Sequence, residues 1–221
     1  MRVNIKMNTI HYDFSSEALS ALREDVKAAT SERRYLHVKA VEETIDRLGT
    51  LYLPDERKML RAAALLHDLT KEFSNEKHEK ILTSHGIIVT DEKRMSPKLY
   101  HAETATLLIP ALYPQFAHPT LLSAIRYHTT GRKDATVFDL LLYLADYIDD
   151  SRTFPDCVFL RDYFWNKNPE SMSPEERMQH LFDTIVRSVD LTVAALSKER
   201  APISIESILM RNRFLSELHK I

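Results

Sequence analysis

Glycine is scarce in this chain, three in 221 residues, and cysteine scarcer still, with Cys157 alone. So few glycines leave little material for the tight turns of a β-rich fold. A single thiol excludes an intramolecular disulfide, and without a CxxC pair there is no structural zinc knuckle. Charge of one sign is also missing: 30 Lys plus Arg against 32 Asp plus Glu leave a net charge of −2. That excludes the global basic field by which proteins gather nucleic acid nonspecifically. No run approaches the roughly twenty apolar residues needed to span a bilayer, and the stretch from Met1 to Met7 lacks the apolar core of a secretion signal. The expected molecule is cytosolic, with no nucleic-acid partner and no membrane attachment, and it handles any anionic substrate through a local cluster of cations.

What is present is helical material. Long stretches of Ala, Leu, Glu, Lys and Arg predict an all-α fold, with 44% hydrophobic residues sufficient for one sizeable core. Ser96-Pro97 and Ser173-Pro174 place a hydroxyl cap before a proline at the first helical position, while Gly49 and Gly86 fall where helices should stop. The periodicity predicts helices over 16–29, 31–48, 54–72, 75–85, 97–109, 118–128, 136–151, 158–167, 174–199 and 204–219, with 87–95 as an exposed loop holding a brief extended stretch. Residues 1–15 read as an N-terminal extension and 16–221 as a single domain. An apolar stripe on 174–199 (Met178, Leu181, Ile185, Val189, Thr192, Leu196) is expected to pack on the core, and such stripes leave a homodimer open.

Within this material the pair His67-Asp68 stands out, at the end of the apolar run Leu60 to Leu66. Burying an unpaired carboxylate costs several kcal/mol, so such a pair calls for a cationic partner, and a divalent metal fits. His37, His101, His128 and Asp146 each adjoin apolar helical sequence and follow one another at about a helix-plus-loop unit. Each therefore comes from a separate helix. Helical spacing also puts Lys71 on the side of His67 and Asp68. Imidazoles and carboxylates without thiolates suit iron, manganese or zinc.

The order His, His-Asp, His, His, Asp, with the words Arg34-Tyr35-Leu36-His37, Leu66-His67-Asp68-Leu69-Thr70-Lys71, His128-Thr129-Thr130-Gly131-Arg132 and Ala145-Asp146 through Arg152, resembles the YqeK-type branch of the HD-domain metal-dependent phosphohydrolases. The likeness spans about residues 16–218 and departs at Ala102, where the family usually has glycine. It implies an HD-domain helical bundle with a metal site in its core, holding two divalent ions, iron in the first instance. It further implies symmetrical cleavage of diadenosine tetraphosphate into two ADP. By the same resemblance His37, His67, Asp68 and Asp146 would hold one metal, and Asp68 would bridge to a second held by His101 and His128.

A polyphosphate carries more charge than two metals comfortably neutralise, so cationic neighbours are expected. Lys71, Arg132 and Arg152 are the candidates, with Thr129 as a hydroxyl donor to phosphate and Asp149 as a contact orienting a histidine. Asp68, Lys71 and Arg132 are the residues expected to carry the reaction. Two other readings stand beside this one: an HD phosphohydrolase acting on mononucleotides or alarmones, and a noncatalytic nucleotide-binding HD module. His11, His78, His85, His118, His180 and His219 fall outside the pattern, among polar or loop-like neighbours. Cys157 is expected to be a small buried filler, and Tyr163, Phe164 and Trp165 are expected to pack in the core.

Overall fold

A computed structural model describes residues 11–220. Its regular elements are α1 (Ser16–Ala29), α2 (Glu32–Tyr52), α3 (Arg57–Leu66), α4 (Asn75–Ser84), α5 (Asp91–Arg94), α6 (Tyr100–Leu112), α7 (Pro119–Tyr127), α8 (Val137–Ile148), α9 (Pro155–Trp165), α10 (Pro174–Glu199) and α11 (Ile205–Leu218), with short 3-10 turns between some of them. There is no strand among the described residues, in keeping with the all-α expectation. No described helix is long and apolar enough to cross a membrane.

The second half of α3 and nearly all of α8 are apolar all round and form the centre. Leu60 and Ala62 through Leu66 of α3 are buried, as are Phe138 through Ala145 of α8. A helix without a polar face must be wrapped by others, and α2, α7, α1 and α9 pack around these two. Gly49, expected to end a helix, instead sits inside α2. A Cβ there would come within 3.1 Å of Leu60 Cδ1, so the glycine serves the close approach of α2 to α3. Glu42 of α2, nearly buried, accepts from Arg23 Nε of α1 (2.8 Å) and Arg61 Nε of α3 (3.0 Å), which ties the three helices together.

Hydroxyl caps set several of the starts: Ser15, Ser31, Ser74, Thr90, Thr136 and Ser173 each accept from a backbone N–H in the first turn. Ser96 does not cap. Pro97–Leu99 form a 3-10 turn and α6 begins only at Tyr100. The segment expected as one helix over 54–72 breaks into a 3-10 turn, α3 and a run of turns from His67, and Arg152 likewise lies beyond the end of α8. The expected loop at 87–95 contains the one-turn α5, capped by Thr90. Most of the stretch read as an N-terminal extension lies outside the described residues. Its last part packs on the body, with the Asp13 N–H bonded to the Gln115 carbonyl (3.1 Å) and Phe14 against Phe116.

Two histidines expected among polar neighbours are buried instead. His180 stacks on Phe164 and its Nε2 donates to the Phe164 carbonyl (2.9 Å). His78 hydrogen-bonds through Nδ1 to the Thr104 hydroxyl (2.8 Å). Burial, with His101, Lys77 and Lys71 nearby, pushes His78 down to about 4. Between pH 6.5 and about 4 the unfolded chain therefore takes a proton that the folded chain refuses, so this residue's contribution falls as pH falls through that window. In urea titrations across pH 7 to 4, His78→Gln should show a shallower loss of stability than the parent. Equal slopes would exclude the effect.

Candidate metal centre

His67 closes α3, Asp68 opens the turn that follows, His37 lies in α2, His101 in the first turn of α6, His128 closes α7, and Asp146 lies in the last turn of α8. Residues up to 109 positions apart thus meet in one buried cluster. His37 Nε2 stands 3.0 Å from Asp146 Oδ1 and 3.7 Å from Asp68 Oδ2, and His67 Nε2 lies 3.7 Å from Asp146 Oδ1 and 3.6 Å from Asp68 Oδ2. On the other side, His101 Nε2 is 3.2 Å from Asp68 Oδ1 and 3.1 Å from His128 Nε2, and His128 Nε2 is 3.9 Å from Asp68 Oδ1. The two oxygens of Asp68 therefore face two different donor sets.

The ring orientations share a cause. Nδ1 of His67, His101 and His128 lies 2.6 to 2.8 Å from the carbonyl three residues earlier, of Ala64, Lys98 and Ile125 respectively. With Nδ1–H donated to the backbone, Nε2 keeps its lone pair and points to the cluster. His37 Nδ1 is instead held by the Ser151 hydroxyl (3.1 Å), with Asp149 Oδ2 at 3.4 Å. Asp149 is therefore the neighbour that orients a cluster histidine.

Whether a cation suits this place can be tested on unsatisfied atoms. Nε2 of His37 and His67 and Oδ1 of Asp68 are buried without a hydrogen-bond partner, and buried polar atoms in that state are rare. The ligand atoms of His37, His67 and Asp146 lie within 4.8 Å of one another, as do those of His67, Asp68 and His128. Nitrogen and carboxylate donors in such sets fit first-row divalent ions. The electrostatics agree. Burial opposes ionisation of Asp68, yet His67, His101 and Lys71 hold its carboxyl well below the usual range; at the mostly covered Asp146 desolvation likewise opposes ionisation, and Arg152, His37 and His67 hold it low. Burial, then the neighbouring histidines, push His128 far down, and burial lowers His67, so both rings are neutral donors.

Around the cluster stand cations. Lys71 Nζ is 3.1 Å from His101 Nε2 and 3.8 Å from Asp68 Oδ1; burial, opposed by Asp68 and Asp146, lowers its basicity. Arg152 pairs with Asp146 and lies 3.4 Å from Asp149, its turn pinned by Arg161, whose guanidinium donates to the Asp149 and Arg152 carbonyls. Arg34, which the sequence reading passed over, donates from Nη1 to Asp68 Oδ2 at 2.5 Å. It sits three residues before His37 on α2, and that helical spacing was the available signal. Arg132 turns elsewhere: it donates to Asp139 Oδ2 (2.9 Å), inside the capping box that starts α8.

The loop after His128 is fixed from the C-terminal helix. Gly131 has φ +65°, and a Cβ there would lie 2.1 Å from Met210 Sδ, so glycine is required both by the backbone and by the close packing of α11. The Ser207 hydroxyl donates to the Thr130 carbonyl (2.7 Å), and Arg213 donates to the carbonyls of Lys133 and Ala135. A groove of about 1160 Å³ near Lys167, Gln179 and His219 is lined by none of the six cluster residues.

The HD-domain family model matches residues 34–151, which covers all six. The chain belongs to the HD-domain family. Among curated relatives, the symmetrical bis(5'-nucleosyl)-tetraphosphatase of Bacillus subtilis (strain 168) is 28% identical over 193 residues, 86% of this chain and 94% of the relative. The protein of the same name from Staphylococcus aureus (strain NCTC 8325 / PS 47) is 30% identical over 141 residues, 64% of this chain and 71% of the relative. A crystal structure of an HD superfamily hydrolase from Clostridium acetobutylicum, described as involved in NAD metabolism, shares the fold, with a TM-score of 0.75 at 24% identity over 90% of this chain and 97% of that one. This HD-domain protein is thus an enzyme of the hydrolase kind. Its helices α9 to α11 lie beyond the matched region.

Proposed function

We propose that this HD-domain enzyme hydrolyses dinucleoside polyphosphates, cleaving diadenosine tetraphosphate symmetrically into two ADP, with two divalent ions, iron by preference and manganese or zinc as alternatives. The observation that carries the reading is the placement of the two Asp68 oxygens, Oδ2 toward His37 and His67 and Oδ1 toward His101 and His128. The names of the Bacillus and Staphylococcus relatives support the substrate. His37, His67, Asp68 and Asp146 would hold one ion, and Asp68, His101 and His128 the other. Bound there, a metal pair supplies Lewis acidity and a water acidified enough to attack at neutral pH.

The chain's own residues do the rest. Ser151 and Asp149 beside His37, and the three helix-end carbonyls at the other rings, would orient the imidazoles toward the ions. Arg34, Lys71 and Arg152 converge on the cluster from three different segments and are the cations placed to offset the polyphosphate charge. Thr129, next to His128, offers a hydroxyl at the same edge. Arg132 would act on the reaction through the start of α8 and the loop carrying His128. In the reaction a water oxygen bonds to one of the two inner phosphorus atoms, the bridging P–O bond between them breaks, and the departing ADP keeps that oxygen and takes up a proton.

The test is product analysis. Purified protein loaded with iron or manganese should convert diadenosine tetraphosphate into ADP alone. A mixture of ATP and AMP would reject symmetric cleavage, and faster turnover of a mononucleotide would reject the substrate class.

A further inference from the structure

One cavity, walled by the segments next to His101 and His128, has no role in the account above. It encloses about 360 Å³ between the 95–99 segment, the Thr129-Thr130 turn and the connection from α10 to α11. Its position is set by the centre itself. Thr129 follows His128 directly, and Lys98, on the opposite wall, gives the carbonyl that orients His101. On a third side Thr192 of α10 lines it, its hydroxyl donating to the Ser188 carbonyl (2.9 Å), while the Ser188 hydroxyl donates to that of Tyr143 (3.2 Å). None of the six cluster residues lines the cavity, but it is walled by the segments that lead into His101 and out of His128.

Its lining has a definite chemistry. Pro97, Leu99, Leu196, Ala201 and Pro202 supply apolar walls, the hydroxyls of Ser96, Thr129, Thr130 and Ser204 fall among them, and Lys98 and Glu199 add one charge of each sign. Flat apolar surfaces with a few hydroxyls suit a planar heteroaromatic ring that carries a sugar. The volume lies near the lower end of the range, about 300–1,000 Å³, in which proteins enclose small organic ligands, so it has room for one nucleoside and not for two. A polyphosphate chain would be too polar for these walls.

We infer that this cavity is the seat of one terminal nucleoside of the substrate, so that selectivity for a nucleotide over a bare polyphosphate comes from contacts between the HD part and the α10–α11 pair. The inference rests on the proposed activity for its choice of ligand class, while the cavity's chemistry is independent of where the phosphate chain is cut. It also gives the apolar stripe of α10 a division of labour. Leu181, Ile185 and Val189 are buried in the core, whereas Thr192 and Leu196, farther along, line the cavity.

Two filling variants test it, Leu196→Trp and Ala201→Phe, each on a different wall. Calorimetry on the metal-loaded protein would compare ADP with inorganic pyrophosphate. In both variants ADP binding should weaken at least tenfold while pyrophosphate binding stays within twofold of the parent, and KM for diadenosine tetraphosphate should rise in step. Unchanged ADP affinity, or equal weakening of ADP and pyrophosphate, would overturn the assignment. Circular dichroism reports whether each variant folds; should Leu196→Trp fail, Ala201→Phe alone decides. A parent protein that binds ADP here but leaves diadenosine tetraphosphate intact would refute the proposed reaction and not the nucleoside seat.

Discussion

Asp68→Ala is expected to cut the bound metal from two ions per chain to one or none, and to lower turnover of diadenosine tetraphosphate by about a thousandfold or more. The reason is geometric. Each Asp68 oxygen faces its own set of imidazoles, so deleting the carboxylate removes a donor from both sets at once. Several kcal/mol of charge stabilisation depend on such a metal pair, and each 1.36 kcal/mol is a factor of ten in rate. Asp68→Asn, which keeps one carbonyl oxygen, should fall between the parent and the alanine variant in metal content. Elemental analysis beside a rate measurement gives both numbers. An Asp68→Ala protein that retains two ions would remove the carboxylate from the bridging position assigned to it.

Arg34→Ala is expected to lower kcat/KM by about 10- to 100-fold while leaving the metal content as it was. Arg34 is three-quarters covered, its Nε is buried without a partner, and its one bond goes to the same Asp68 oxygen that faces His37 and His67. A hydrogen bond to a charged group is worth about 1.5–3 kcal/mol, which sets the size of the effect. Arg34→Lys should recover part of the loss, because it restores the charge but not the planar fork. A loss of metal parallel to the loss of activity would show that Arg34 merely steadies Asp68. An unchanged KM across substrates with three, four and five phosphates would show that it does not touch the phosphate chain.

Much of this centre was visible in the sequence because its residues lie where chemistry and helix ends coincide. His67 and His128 stand at the ends of apolar helices, where a polar ring has no reason to be unless something holds it. The helix starts at Ser31, Ser173 and Thr136 were similarly open to view, since a hydroxyl cap works through bonds only a few residues long. What escaped depended on distant partners. Arg132 follows His128 as a phosphate ligand would, yet Asp139, seven residues on, takes its guanidinium. Arg34 stood within the motif leading to His37 with no role assigned, and the fold brings Asp68, 34 positions later, against it. Gly49 read as a stop because glycine weakens helices in isolation; the packing of Leu60 against it decides otherwise. The cavity at Leu196 joins three segments that have no spacing relation and could not have been read from the chain.

The grip of α11 on the 130–135 segment has a consequence for the order in which the enzyme comes into being. Met210 under Gly131, Ser207 on Thr130 and Arg213 on Lys133 and Ala135 all belong to the last helix a ribosome would release among those described. Until that helix docks, the turn behind His128 keeps only its own backbone bonds and the Arg132–Asp139 pair, although all six cluster residues precede it in the chain. A nascent chain would thus carry a cluster braced on one side, and its last brace would come with the last of the described helices.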